Sequence, residues 1–343
     1  MTSRFFNLIK LYSSYLLSRL FRRVIQWGYP YSISIEPTNR CNLHCPECPS
    51  GMNRLTRKRG MMDLTLFQHL IDQLSPTLYY LNLSFQGEPY LHPQLTEMVA
   101  YAKSKNIYVS TSTNGHFLTP ENAGKTIKSG LDRLIISLDG ADAEAYELYR
   151  AGGDFNSVIS GIKEIVKQKK TLNTKHPKVI LQFLILKSNQ HQVKQIQQFG
   201  KELGVDKVEL KSAQFYDFPG GNPLMPDDPR FSRYVKTEDP DGQNRYKLRN
   251  RLPNHCQRMW SSCVISWDGM LVPCCFDKDA GHRMGSLQDQ AFREVWKNEA
   301  YMEFRKKILK FRKSVDICTN CTEGMRKKTG RSYLLRMITL LTR

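Results

Sequence analysis

Six β-rich runs separated by helical stretches, all between Tyr29 and about Lys211, restrict this chain more than any other feature. The runs are Ser32–Glu36, Tyr79–Phe85, Tyr108–Ser112, Arg133–Ser137, Val179–Leu186 and Lys207–Leu210. Helical stretches such as Leu64–Leu74, Pro93–Lys103, Phe155–Lys167 and Gln192–Leu203 stand between them. Strands recurring at steps of roughly 20 to 50 residues with helices between pair in parallel through right-handed crossovers. A complete eight-stranded barrel takes about 250 residues. Six units over residues 29–211 therefore predict an α/β fold closed only in part, a partial (β/α)6 barrel. Such barrels and sheets place their chemistry at the C-terminal ends of the strands.

The first of those ends carries Cys41-Asn-Leu-His-Cys45-Pro-Glu-Cys48. Three thiolates spaced by three and then two residues give three of the four ligands an iron-sulfur cluster usually takes from cysteines, which leaves one iron open. A zinc knuckle, which would want a fourth ligand close by, and a redox pair are the competing readings. The chain's nine cysteines fall in two groups (41, 45, 48 and 256, 263, 274, 275, 318, 321) with no signal peptide ahead of them. That usage predicts metal ligation in a reducing, cytoplasmic setting.

The cysteine loop and the half-barrel pattern behind it resemble the radical S-adenosylmethionine (SAM) superfamily. The resemblance covers residues 29–211. It implies that SAM binds the open iron through its amino and carboxylate groups. An electron passed through the cluster then releases a 5'-deoxyadenosyl radical, and the cofactor carries the hard chemistry while the protein binds and orients it. Further strand ends fit the same pattern. Gly87-Glu88-Pro89 is similar to the family motif whose backbone and acid hold the methionyl ammonium. Ser112 and Asn114, then Ser137 and Asp139, offer short polar groups to the ribose and the methionyl carboxylate, or helix caps and Asx turns. Arg150 could pair bidentately with that carboxylate or be a solvated surface arginine. Gln182 shares a strand face with Leu184 and is placed toward the lumen. One departure is Glu47, where many members carry an aromatic residue.

The later cysteines are similar to the SPASM or shorter twitch extension, which carries auxiliary 4Fe-4S clusters. Cys256, Cys274, Cys318 and Cys321 would close one such cluster, and one is expected because no cysteine follows Cys321. Cys275 could replace Cys274, and Cys263 could replace Cys256 or be buried as a small apolar group. A structural zinc site is the alternative. Cys263–Trp267 and Met270–Cys274 read as a hairpin turning on Asp268-Gly269, followed by a helix at roughly 291–309. The small C-terminal domain is placed at 256–325, behind a Pro- and Gly-rich linker or lid at 212–255.

Residues 1–28 read as a basic amphipathic helix, with Phe5, Ile9, Tyr12, Leu16, Leu20 and Val24 on one face and Asn7, Lys10, Ser14, Ser18 and Arg22 on another. Packing of the apolar face on the domain is one expectation; an anionic membrane surface is the other. The tail 326–343 repeats that composition. A formal net charge of +19 points to an anionic partner, but no basic platform interleaved with aromatics supports nucleic acid. The function expected is oxidation or crosslinking of a peptide or protein, with a flavodoxin- or ferredoxin-type reductant. The runner-up is a small molecule or a membrane-associated lipid or glycan precursor, and a non-catalytic electron carrier is the alternative of another class.

Overall fold

A computed structural model describes residues 3–238 and 241–322; the basic tail at 326–343 lies outside them. The chain opens with α1 (Ser3–Phe21) and then alternates: β1 (Ser32–Ile35), α2 (Leu64–Leu74), β2 (Tyr80–Asn82), α3 (Leu95–Ser104), β3 (Tyr108–Thr113), α4 (Pro120–Lys128), β4 (Arg133–Ser137), α5 (Ala143–Tyr149), α6 (Phe155–Thr171), β5 (Lys178–Ile185), α7 (Val193–Glu202) and β6 (Lys207–Ser212). All six strands pair in parallel, in sequence order.

Register divides each strand into two faces. Ile33, Leu81, Val109, Leu134, Val179 and Leu181 are buried against the helices. The other face carries a row of paired positions, Ser34↔Asn82↔Ser110↔Arg133 and, nearer the mouth, Ser137↔Gln182↔Glu209. Gln182 is half-buried on the same face as Leu184, in the lumen as its two-residue period requires. Helices seal the outside with apolar stripes. In α2, capped by Asp63, Phe67, Leu70, Ile71 and Leu74 are buried at helical spacing.

The segment after β6 departs from the linker reading, because it holds a hairpin, β7 (Tyr234–Glu238) with β8 (Asn244–Leu248). Then follow α8 (Arg258–Ser261), β9 (Ser262–Ile265), β10 (Met270–Val272), β11 (Gly285–Ser286), α9 (Phe292–Lys297), α10 (Glu299–Phe311) and α11 (Asp316–Thr319). The Asp268-Gly269 hairpin forms, with Gly269 at φ 75°. It does not stand apart from the barrel. Strand β9 pairs in parallel with β1, so the sheet runs β11-β10-β9-β1-β2-β3-β4-β5-β6. The single helix expected at 291–309 is two, since Asn298 caps a new start by accepting from Tyr301 N–H.

Helix α1 corrects the face assignment made from its pattern. Asn7, Leu8, Leu11, Ser14, Tyr15 and Ser18 are the buried positions, while Phe6, Ile9, Leu16, Leu20 and Phe21 are exposed. The buried serines are satisfied locally: Ser14 Oγ donates to Leu11 O at 2.9 Å and Ser18 Oγ to Ser14 O at 2.6 Å. Asn7 exchanges two hydrogen bonds with the backbone of Tyr29. A Cβ on Gly28 would lie 2.8 Å from Leu11 Cβ. Small groups thus let the returning chain lie against the helix, an advantage that hydropathy alone does not register.

Candidate active site

Glu36, at the end of β1, anchors the cysteine loop. Its carboxylate is buried and takes both terminal nitrogens of Arg57 at 2.5 Å. It also accepts from Gln86 N–H in the loop after β2 and from Trp267 N–H in the β9–β10 turn. One side chain therefore joins three strand ends. Asn39 adds a second clasp, accepting from Gly60 N–H at 2.9 Å and donating to Lys58 O at 2.8 Å.

Within the loop, Cys45 is buried and Cys41 and Cys48 are partly buried. Their sulfurs are within electrostatic reach of one another. Burial pushes the Cys41 thiol up to about 11, and Glu88, Cys48 and Cys45 push the same way. The loop after β2 lies directly on it. A Cβ on Gly87 would come 2.5 Å from Arg40 O, and Glu88 N–H donates to Arg40 O at 2.8 Å. Only glycine, here at φ 74°, permits that approach.

Glu88 itself is turned inward. Its carboxylate is 2% exposed and accepts from Thr113 Oγ1 and Asn114 N–H at 2.7 Å and from Tyr90 N–H at 3.1 Å. Burial raises it to about 7 against those three donors. Pro89 starts the single 3₁₀ turn that follows. Asn114 Nδ2 donates to Asn42 in the cysteine loop at 2.7 Å. Ser112 is half-buried at the end of β3 and Ser137 is buried at the end of β4.

Arg150 and Asp139 also diverge from the sequence reading. Asp139 is fully buried and receives Arg150 Nε at 2.7 Å and Nη2 at 2.6 Å, while Leu184 N–H takes its other oxygen. The third nitrogen, Nη1, points to Cys45 Sγ at 3.8 Å. The face of Arg150 expected to hold a methionyl carboxylate bidentately is therefore engaged by Asp139. Burial disfavours the guanidinium, but Asp139 and Cys45 hold it charged.

The later cysteines gather on the other side of β1. Cys256, Cys263, Cys274 and Cys275 line a cavity of ≈ 310 Å³ with Tyr15, Arg258 and Arg312. Cys318 and Cys321 follow α10, and Arg312 Nη2 donates to Cys321 Sγ at 3.5 Å and its guanidinium also to Cys318. Among the described residues no three His, Cys, Asp or Glu side chains converge closely enough for a single metal ion. Cys256 and Cys274 open on the cavity, and Arg312, which also lines it, meets Cys318 and Cys321, so the four thiols could hold a multi-atom cluster there. Cys263 sits in the apolar core and burial raises its thiol strongly, opposed only by Arg305. Arg258 Nη1 reaches Cys275 Sγ at 3.7 Å.

Three groups at this site have contacts that the sequence did not assign. Lys278, lowered by burial, feels both Cys48 and Cys275 and lies over the Tyr216 ring at 5.0 Å, between the two cysteine groups. Glu47, at φ 65°, accepts from Tyr216 N–H and Asn222 Nδ2 at 2.9 Å and so ties the cysteine loop to the segment before β7. Arg312 is the third. A lysine or arginine among 51 gives no local signal, whereas Glu47 was visible as the departure from an aromatic.

Residues 35–199 match the radical SAM superfamily and residues 256–322 match the iron-sulfur cluster-binding SPASM domain. The chain is a radical SAM enzyme with a SPASM domain. Its cofactors are accordingly SAM, the SAM-binding 4Fe-4S cluster and auxiliary iron-sulfur chemistry in the SPASM part. This radical SAM enzyme is 26% identical over 302 residues to a tungsten-containing aldehyde ferredoxin oxidoreductase cofactor-modifying protein of Pyrococcus furiosus, covering 79% of the chain and 82% of the relative. It is 24% identical over 262 residues to the PqqA peptide cyclase of Streptomyces rochei, covering 72% and 70%. The fold is shared with BtrN in complex with AdoMet and 2-DOIA, with a TM-score of 0.54 at 19% identity over 88% of this chain and 95% of that one. It is shared too with Streptococcus suis SuiB bound to precursor peptide SuiA, with a TM-score of 0.62 at 12% identity over 89% and 73%.

Proposed function

We propose that this enzyme oxidises or crosslinks a peptide or protein substrate held between two iron-sulfur clusters. When bound, the SAM-binding cluster and SAM supply a 5'-deoxyadenosyl radical. Cys41, Cys45 and Cys48 would hold that cluster. The observation that carries the reading is the contact of the Gly87-Glu88 loop with the cysteine loop, which brings two strand ends over one open position. Glu88, Asn114 and Asp139 shape it from within. Gly87 and Pro89 fix the loop backbone, and Ser112, Ser137 and the Nη1 end of Arg150 remain on the cofactor side. Cys256, Cys274, Cys318 and Cys321 are the proposed ligands of one auxiliary cluster, with Arg312 against two of them; the core position of Cys263 supports its reading as an apolar group. Residues 29–211 and 256–325 are the corresponding proposed domains. Electrons would come from a flavodoxin- or ferredoxin-type protein.

The peptide class is supported by the PqqA peptide cyclase among the relatives. A second reading, a small molecule or a lipid or glycan precursor, is favoured by the cofactor-modifying protein of Pyrococcus furiosus among the relatives. The test is anaerobic release of 5'-deoxyadenosine with dithionite and SAM, which Cys41→Ala, Cys45→Ala and Cys48→Ala abolish. Adding a low-mass peptide fraction should raise the rate, and protease treatment of that fraction should remove the rise. Stimulation by a lipid extract or a protease-resistant fraction instead would replace the peptide reading with the second.

A further inference from the structure

The first helix presents to solvent what a packed helix normally hides. Phe6, Ile9, Leu16 and Leu20 follow one another at three-, four- or seven-residue steps and are 52%, 49%, 58% and 72% exposed. Such steps lie on one face. Phe21, the last helical residue, and Trp27 beyond the helix are also exposed, at 61% and 50%. Lys10, Arg19, Arg22 and Arg23 are exposed along and beyond it, and residues 3–28 contain no Asp or Glu. The opposite face is committed to the returning chain, through Asn7 to the backbone of Tyr29 and through Ser18 to the backbone of Ile25. Rotating the helix to bury its apolar stripe would break those bonds.

We propose that α1 is a docking face for an anionic lipid bilayer. Apolar side chains would enter the acyl boundary while Lys10, Arg19, Arg22 and Arg23 meet the headgroup phosphates, the pairing of apolar depth and positive rim that interfacial helices use. No helix among the described residues is long and apolar enough to cross a membrane, so the contact is peripheral. Its place in the fold sets the orientation. Arg4, at the start of α1, donates to Ser75 O at 3.0 Å and to Asn106 O and Lys105 O at 2.7 Å, all ahead of β2 and β3. The helix therefore caps the N-terminal ends of the strands. A bilayer there leaves the mouth, with Cys41 to Cys48, facing the aqueous side. This inference is independent of the substrate reading.

The experiment is flotation of the full-length, cluster-loaded protein with vesicles of phosphatidylcholine plus phosphatidylglycerol, and with phosphatidylcholine alone. The wild type should float with the anionic vesicles, less with the neutral ones, and less again as salt is raised. Leu16→Glu with Leu20→Glu should lower binding by about tenfold or more. Iron content and melting temperature should stay at wild-type values, because both positions are exposed. Lys10→Ala with Arg19→Ala should remove the preference for anionic vesicles. Failure of the wild type to float, or equal flotation of the Glu variant, overturns the proposal. So does a wild-type dimer in light scattering that the Glu variant dissolves, because the stripe would then cover a second copy of the chain.

Discussion

Arg150 stands between Asp139 and Cys45, with Nε and Nη2 on one Asp139 oxygen at 2.7 and 2.6 Å and Nη1 3.8 Å from the cysteine sulfur. A guanidinium fixed in this way puts positive charge beside the cysteine loop before any cofactor arrives. Replacing Asp139 by Ala leaves that charge with its main partner gone. Loss of one member of a buried pair costs about 3–5 kcal/mol, and urea denaturation should show most of it. Arg150→Met should cost less, because Asp139 keeps the Leu184 N–H. A loss below about 1 kcal/mol for Asp139→Ala would mean that the pair behaves as an exposed one.

Glu36 and Arg57 make a second buried pair, with side-chain exposures of 0% and 4%. Because Glu36 also takes N–H groups from Gln86 and Trp267, the pair links the cysteine loop, the β2 loop and the β9–β10 turn. Arg57→Ala should destabilise by about 3–5 kcal/mol. It should also speed proteolytic cleavage in the loop between β1 and α2, and cleavage at the wild-type rate would refute the link.

The strands were legible because their apolar face alternates with period two and each run ends in turn chemistry. The cysteine loop, Gly87 and Asp268-Gly269 were legible because their residue types leave few alternatives. What stayed hidden depended on partners distant in sequence. Strand β9 looked like half of an independent hairpin, and nothing local indicates that Cys263 would lie beside Ile33. The α1 stripe was visible, but which face would be covered turned on how closely Gly28 approaches Leu11. Arg150 showed a charge suited to a carboxylate; its partner was a carboxylate of the same chain, eleven residues away.

Glu88 gives a pH dependence whose sign follows from burial. Its folded pKa of about 7 lies above the ordinary carboxylate value of 4.5. The native state thus keeps a proton that the unfolded chain has released, and stability falls as pH rises from about 4.5 to about 7. The full difference is roughly 3 kcal/mol at 1.36 kcal/mol per pH unit. Denaturation of the cofactor-free protein between pH 5 and 8 should show this decline, and Glu88→Ala should flatten it while lowering stability at pH 5, where three hydrogen bonds are lost. An unchanged slope in the variant would assign the decline to another group.

Arg312 offers the last prediction. Its guanidinium is 2% exposed, donates to Cys321 Sγ at 3.5 Å and to His255 O at 2.7 Å, and also reaches Cys318. Donors to cluster sulfurs favour the more negative, reduced state and so raise the reduction potential. Arg312→Met preserves much of the volume and removes the donors. The iron-sulfur signal that Cys318→Ala eliminates should then titrate at lower potential, by an amount on the scale of a hydrogen bond to a charged group, about 1.5–3 kcal/mol. On the proposed single auxiliary cluster, iron should stay at about eight per chain, against about four for Cys318→Ala. A redox titration followed by electron paramagnetic resonance separates the outcomes. An unshifted potential at full iron would make Arg312 a packing residue, held by the carbonyls of His255 and Pro253.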